Sequence, residues 1–186
     1  MNKAVTTKEE ILEVCKQIVA SEGISSINMR TVATKCQIAL GSLYNYFPSK
    51  AILIASTVEA VWTEIFHMDS KELHFDNICD YLDWLFKSLN QSKDQYPGFF
   101  SMHAIGFASN EKSQGRKVMN NYFDSIKHEL LKLLNNDKHI KSDLFKKDLT
   151  YEIFADYIFT LVLSIMVNPY SSGTPLIQMI NSFLYE

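Results

Sequence analysis

The sequence predicts an all-α protein of about nine helices, with three short helices at the N-terminus and a larger helical domain after them. Three observations predict it. Apolar residues recur at i, i+3, i+4 and i+7 along most of the 186 residues, the period of an amphipathic helix and not the alternation of a strand. Ser, Thr and Asn stand just ahead of these runs, and Gly, Pro and Asn clusters close them, as helix caps and stops do. At 47% hydrophobic, the chain is rich enough for a packed core and too apolar for disorder.

Taken in order, Ile11, Leu12, Val14, Cys15, Ile18 and Val19 mark a first helix over about 7–22. Thr7 and Glu10 have the spacing of a capping box, and Gly23 is the stop. Asn28 caps a short second helix, 29–36, and a third covers 40–46. Pro48-Ser49 starts a fourth, with Ile52, Leu53, Val58, Val61, Trp62, Ile65 and Phe66 as its apolar residues. Continued to 68, it would be about 28 Å long, enough to run from one domain into the next. The fifth helix is expected over 76–92. Pro97 opens a sixth, reaching about 108. The seventh covers 113–135, and the eighth 147–167, stopped by Asn168-Pro169. Thr174-Pro175, a cap followed by proline, opens the ninth, 175–185. The domain reading is 1–50 for the N-terminal unit and 51–186 for the second, with the fourth helix (50–68) as the link.

Net charge is −3 overall but unevenly placed. Residues 1–50 are net positive, and Gly23 to Val58 contains no acidic residue while holding Arg30, Lys35 and Lys50. Such a segment on an acidic protein suits a polyanion. Cys15, Cys36 and Cys79 show no CxxC spacing, which fits buried thiols in a reducing compartment. No signal-like run opens the chain, and the apolar stretch Tyr157–Val167 is too short to span a bilayer. A cytoplasmic protein without a membrane partner is expected. His67, His74, His103, His128 and His139 lack ligand spacing. There is no GxSxG and no phosphate loop. No metal, cofactor or enzymatic activity is expected.

The informative segment runs from Arg30 to Lys50. It reads as two short helices joined by a tight turn, then a capped long helix. Val32, Ala33, Ile38 and Leu43 can meet on one side, with Ala33 small where the helices approach. Leu40, Gly41, Ser42, Tyr44 and Tyr46 fill the other side, none of them acidic. A helix-turn-helix lays such a second helix in the major groove.

The run Leu43-Tyr44-Asn45-Tyr46-Phe47-Pro48-Ser49-Lys50, with Gly23 and the Arg30…Val32-Ala33 pair upstream, resembles the signature of the TetR family of repressors. The match covers about residues 7–55. Gln37 stands where the family commonly has Gly, and Ala39 where a Ser-type cap is common. The resemblance implies a DNA-binding helix-turn-helix domain, a C-terminal ligand-binding and dimerisation domain, a double-stranded DNA operator, a homodimer and a small-molecule inducer. It assigns DNA contact to Arg30, Leu40, Gly41, Ser42, Tyr44, Tyr46 and Lys50. Tyr44 and Tyr46 would aim their hydroxyls at phosphates, Lys50 would meet a phosphate at the start of the fourth helix, and Leu40 would pack on a thymine methyl.

In the second domain, the eighth helix is apolar nearly all round and must be covered on both sides. With the ninth, it is expected to close a four-helix dimer interface through Ile158, Val162, Ile165, Ile177, Ile180 and Leu184. Asp156, Thr160 and Ser164 lie on one line of the eighth helix. They suit a ligand cavity, a dimer seam or a buried water equally. Trp84, Phe100, His103, Tyr122 and Tyr157 are the candidates for a largely apolar ligand pocket. The expected function is a transcriptional repressor released from its operator by a small, largely apolar ligand. The alternatives are a DNA-binding regulator controlled by a partner protein and a helical protein-interaction scaffold.

Overall fold

The computed structural model describes residues 6–66, 73–100, 114–141, 143–168 and 171–186, with the backbone alone for 114–119. Among the described residues there are eight α-helices and no β-strand: α1 (Lys8–Glu22), α2 (Met29–Lys35), α3 (Leu40–Tyr46), α4 (Lys50–Ile65), α5 (Ile78–Gln95), α6 (Gln114–Asn136), α7 (Tyr151–Val167) and α8 (Thr174–Leu184). A single 3-10 turn, Ile24–Ser26, follows α1. The chain packs as two compact units, residues 1–67 with 92–120 and residues 68–91 with 121–186.

The caps read from the sequence form. Thr7 and Glu10 make the full capping box of α1, and Gly23 ends that helix at φ 81°. Asn28 and Ser49 accept from the backbone N–H groups of Thr31 and Ile52, starting α2 and α4. Several boundaries move, among them those of the fifth helix, which runs from Ile78 to Gln95 and not over 76–92. The eighth predicted helix begins at Tyr151, four residues late, because Thr150 is its cap and Lys146 and Leu149 exchange backbone hydrogen bonds in the turn before it. The cap of α8 is Gly173, not Thr174. The predicted fourth helix ends at Ile65 with Phe66 as its cap, short of 68. Of the helix predicted to open at Pro97, residues 97–100 form a turn with Gly98 at φ 76°, and the remainder lies outside the described residues.

In the first unit, Ile11, Cys15, Ile18 and Val19 of α1 are buried together with Val32, Ala33, Leu43, Phe47, Leu53 and Val58. Further along α4, Trp62 stacks on Phe66 (5.3 Å between ring centroids) and meets Phe99 and Phe100 edge-on. Thr57, buried among these residues, donates to the Leu53 carbonyl at 2.8 Å, so its hydroxyl stays satisfied. Glu64 gathers three segments. Lys16 of α1 pairs with it, Gln95 Nε2 donates to it at 2.5 Å, and Tyr96 bonds it as well.

In the second unit, Phe75, Tyr81 and Trp84 form one aromatic group. Phe154 of α7 stacks on Phe183 of α8 at 5.3 Å. Tyr185 donates to Asp137 at 2.6 Å, tying the end of α8 to the end of α6. Gly173 is buried against the Phe86 ring, where a Cβ would overlap the ring carbons. That contact explains a glycine at the head of α8.

Two outcomes are expected. Gly173→Ala, which puts a methyl into the Phe86 ring, should lower stability by about 1–3 kcal/mol, read as a lower urea midpoint at unchanged slope. The second concerns Glu64. Burial alone would raise its carboxyl, but Lys16, Gln95 and Tyr96 outweigh that and hold it below the ordinary range. A depressed native value stabilises the fold above the unfolded glutamate value of roughly 4.3. That contribution fades as pH falls through the native value. Glu64→Gln should therefore lower the thermal midpoint at neutral pH and flatten its decline on the acid side. A parallel, unshifted acid limb would contradict the role given to this carboxylate.

Candidate nucleic-acid interface

The segment from Asn28 to Lys50 is built from local bonds that hold two short helices at a fixed angle. Asn28 caps α2 twice, accepting from Thr31 N–H at 2.9 Å and donating to Thr31 Oγ1 at 2.8 Å. At the other end, Ile38 N–H bonds the Ala33 carbonyl and Gln37 N–H the Thr34 carbonyl, both at 3.0 Å. That pair of bonds is a Schellman motif. Its left-handed residue is Gln37, at φ 55°, where glycine would cost about 1 kcal/mol less. The next helix starts at Ala39 with no side-chain cap.

α3 has only seven residues, too few to be stable alone. Leu43 and the following Phe47, both fully buried, hold it against the core. With those two inside, Gly41, Tyr44 and Asn45 face outward, the i, i+3, i+4 line of one helix face. Gln37, Ala39 and Pro48 are exposed at its two ends.

Hydrogen-bonding capacity divides the surface. Lys35 is neutralised by Glu22 at 2.9 Å. Tyr46 donates its hydroxyl proton to the Thr6 carbonyl at 2.6 Å, and Thr6 in turn donates to Glu10 at 3.1 Å. The end of α3 is thereby tied to the capping box of α1, and Lys8 lies over the Phe47 ring, 5.5 Å from its centroid. The phosphate contact expected of Tyr46 would require this proton to leave the Thr6 carbonyl. Arg30, Gln37, Tyr44 and Asn45 are exposed, and their side chains have no partner among the described residues. Ser42 and Leu40 flank the line, half-buried, and Lys50 is the half-buried first residue of α4. Behind this surface the Cys15 thiol is pushed up to about 11, chiefly by burial. Burial, then the Glu10 charge, raises Cys36. Neither adds a negative charge at neutral pH.

Gly41 has no internal reason to be glycine. A Cβ there would meet nothing within 4 Å, and its φ is not positive. Glycine in a helix interior nevertheless costs about 0.5–1 kcal/mol relative to alanine. Gln37 and Asn45 are exposed on this surface too, although neither is among the contacts expected from the sequence. Their signal was their type, since the side-chain amide pairs with an adenine edge.

The other candidates scatter. Of the pocket residues, Trp84 and Tyr122 are half-buried in the second unit, while Phe100 is buried against Trp62 in the first. Tyr157 is 63% exposed on α7, and His103 lies outside the described residues. Of the interface residues, Ile158, Val162, Ile180 and Leu184 are buried in the chain's own core, and Ile165 and Ile177 are half-buried. The outward apolar residues are instead Tyr157, Leu161, Met179 and Phe183, each one position before a predicted one. Ile153 continues their line on α7. Asp156, Thr160 and Ser164 are exposed beside it, with Asp156 paired to Lys127 at 2.7 Å.

Residues 11–57 match the family model for bacterial regulatory proteins of the tetR family. The HTH-type transcriptional repressor KstR of Mycobacterium tuberculosis is 36% identical over 64 residues, 34% of this chain and 28% of KstR. The chain thus matches less than a third of that relative's length. Nucleoid occlusion factor SlmA of Vibrio cholerae is 28% identical over 154 residues, 79% of this chain and 76% of SlmA. Among solved structures, Salmonella enterica GusR superposes with a TM-score of 0.67 at 20% identity, covering 99% of this chain and 98% of its own.

Replacing Gly41 separates folding from contact. Gly41→Ala should raise the thermal midpoint by about 2–4 °C, through helix propensity without a clash. It should also weaken binding to duplex DNA, because the added methyl stands on the outward line. A stabilised variant with unchanged affinity would show that nothing approaches this face closely.

Proposed function

We propose that this chain, whose residues 11–57 match the tetR family model, is a regulator of that family and controls transcription by binding double-stranded DNA as a homodimer, with α3 in the major groove. One observation carries the reading: the outward line of α3 keeps unspent hydrogen-bonding groups and a bare glycine backbone in a stretch of chain without acidic residues. Phosphates receive Tyr44 and Lys50, the latter beside the positive N-terminal end of α4. Arg30 reaches a phosphate or a guanine edge, Ser42 a base or phosphate, and Leu40 a thymine methyl. Gly41 lets the backbone come close. Tyr46 positions α3 from behind.

The dimer seam is assigned to the open face of α7 and α8, built on Ile153, Tyr157, Leu161, Met179 and Phe183. These two helices from each protomer would close a four-helix contact, and its two-fold axis would present two α3 helices to half-sites about 34–36 Å apart or a related spacing. Repression relieved by a small, largely apolar ligand is the finer part of the proposal. The aromatic content of the second unit, Trp84 and Tyr122 included, supports it. Such a ligand would act only through its preference for the conformation that does not fit the operator.

Selection of duplexes from a random pool tests DNA binding directly. On the selected site, Lys50→Ala and Tyr44→Phe should weaken binding to all sequences alike, and the lysine change should reduce the salt slope by about one. Leu40→Ala should instead alter preference at one base pair. The reverse pattern would overturn these roles. For the dimer, Leu161→Asp should give a monomer by sedimentation with its helical spectrum intact. Val162→Asp, in the chain's own core, should unfold the second unit. A dimer that survives Leu161→Asp would move the seam elsewhere.

A further inference from the structure

We propose that Gln37 reads an adenine at the edge of each half-site, an inference that rests on the DNA-binding reading above. Its position is unusual for its type. The residue adopts φ 55° in the turn between α2 and α3, a conformation that glycine takes freely and asparagine tolerates better than glutamine. The turn itself asks for no side chain, since its two closing bonds are both backbone bonds, Ile38 to Ala33 and Gln37 to Thr34. The side chain gives nothing back to the fold. It is exposed, and its amide has no partner among the described residues. A strained backbone and an idle amide together mean that the benefit of this glutamine lies outside the chain.

Placement and chemistry say what that benefit is. Gln37 precedes the first residue of α3 by three positions. In a helix-turn-helix, the N-terminal residues of the second helix meet base edges. The Schellman bonds and the capped α2 fix the direction in which its Cβ leaves the backbone. A phosphate needs only donors, and Arg30 and Lys50 supply charged ones nearby in sequence. A carboxamide offers a donor and an acceptor side by side, which matches the N7 acceptor and N6 donor of adenine in the major groove. Glutamine also reaches one methylene further than the asparagine this backbone would accept more easily, as a residue set back in the turn must.

The test compares the wild type with Gln37→Gly and Gln37→Ala. Each is put through selection from a random duplex pool, and affinity is then measured on the selected site and on versions changed one base pair at a time. The wild type should discriminate at one A·T pair in each half-site. Gln37→Gly should still select the same core sequence but lose roughly 5- to 150-fold discrimination at that pair alone. Its thermal midpoint should rise by about 2–4 °C as the strain is removed, so weaker discrimination could not come from a damaged fold. If both variants keep every base preference of the wild type, Gln37 is not a reader, while the DNA-binding reading stands. If the wild type itself selects no duplex, both fall together.

Discussion

The outward surface of α3 depends on the burial of Leu43 and Phe47. A seven-residue helix without a side-chain cap has no stability of its own, so its rotation about its axis is set by whichever residues enter the core. With these two fully inside, Gly41, Tyr44 and Asn45 have only one direction to face. Both ends are then pinned. The Schellman bonds hold the entry through Gln37 and Ile38, and the Tyr46 hydroxyl ties the exit to the Thr6 carbonyl. The helix is held along its back and at its ends, and its front is left without partners.

Local costs collect at that front. α1, α2, α4 and α7 each begin with a side-chain cap. α3, like α8, begins without one, and it also has glycine in its middle and is preceded by a left-handed glutamine. Each departure costs on the order of 1 kcal/mol, and the rest of the first unit must offset them. It does so through the α1 and α4 core and the Glu64 group, which joins α1, α4 and the end of α5. Natural proteins break local rules mainly where function requires it, and here the broken rules fall in one short helix and the turn that leads into it.

In the second unit, the same physics separates a closed side from an open one. Phe86 against Gly173 packs so closely that no side chain fits at that position. On the opposite faces of α7 and α8, Tyr157 and Met179 are more than half exposed. Apolar side chains lined up on two neighbouring helices call for a cover, and the proposed second protomer would supply a self-complementary one.

The sequence by itself determined much of what is decided within a few residues of chain, although it missed Thr150 and Gly173 as caps. Thr7 with Glu10, Asn28 and Ser49 were legible as caps because each bonds a backbone group three residues away. Gln37 and Ala39 stood out only through the resemblance to a family that commonly has glycine at the first position and a Ser-type cap at the second. The tertiary structure decided the rest, where the deciding contact is remote or has no direction. Tyr46 finds its acceptor forty residues back, at Thr6, and no local pattern announces that bond. α7 is apolar nearly all round, so periodicity marks it as covered on both sides without saying which stripe goes inside. The fold took Ile158 and Val162 into the core and left Tyr157 and Leu161 out. Hydrophobic burial is non-directional, so only the shape of the packed neighbours could choose between adjacent residues of similar character.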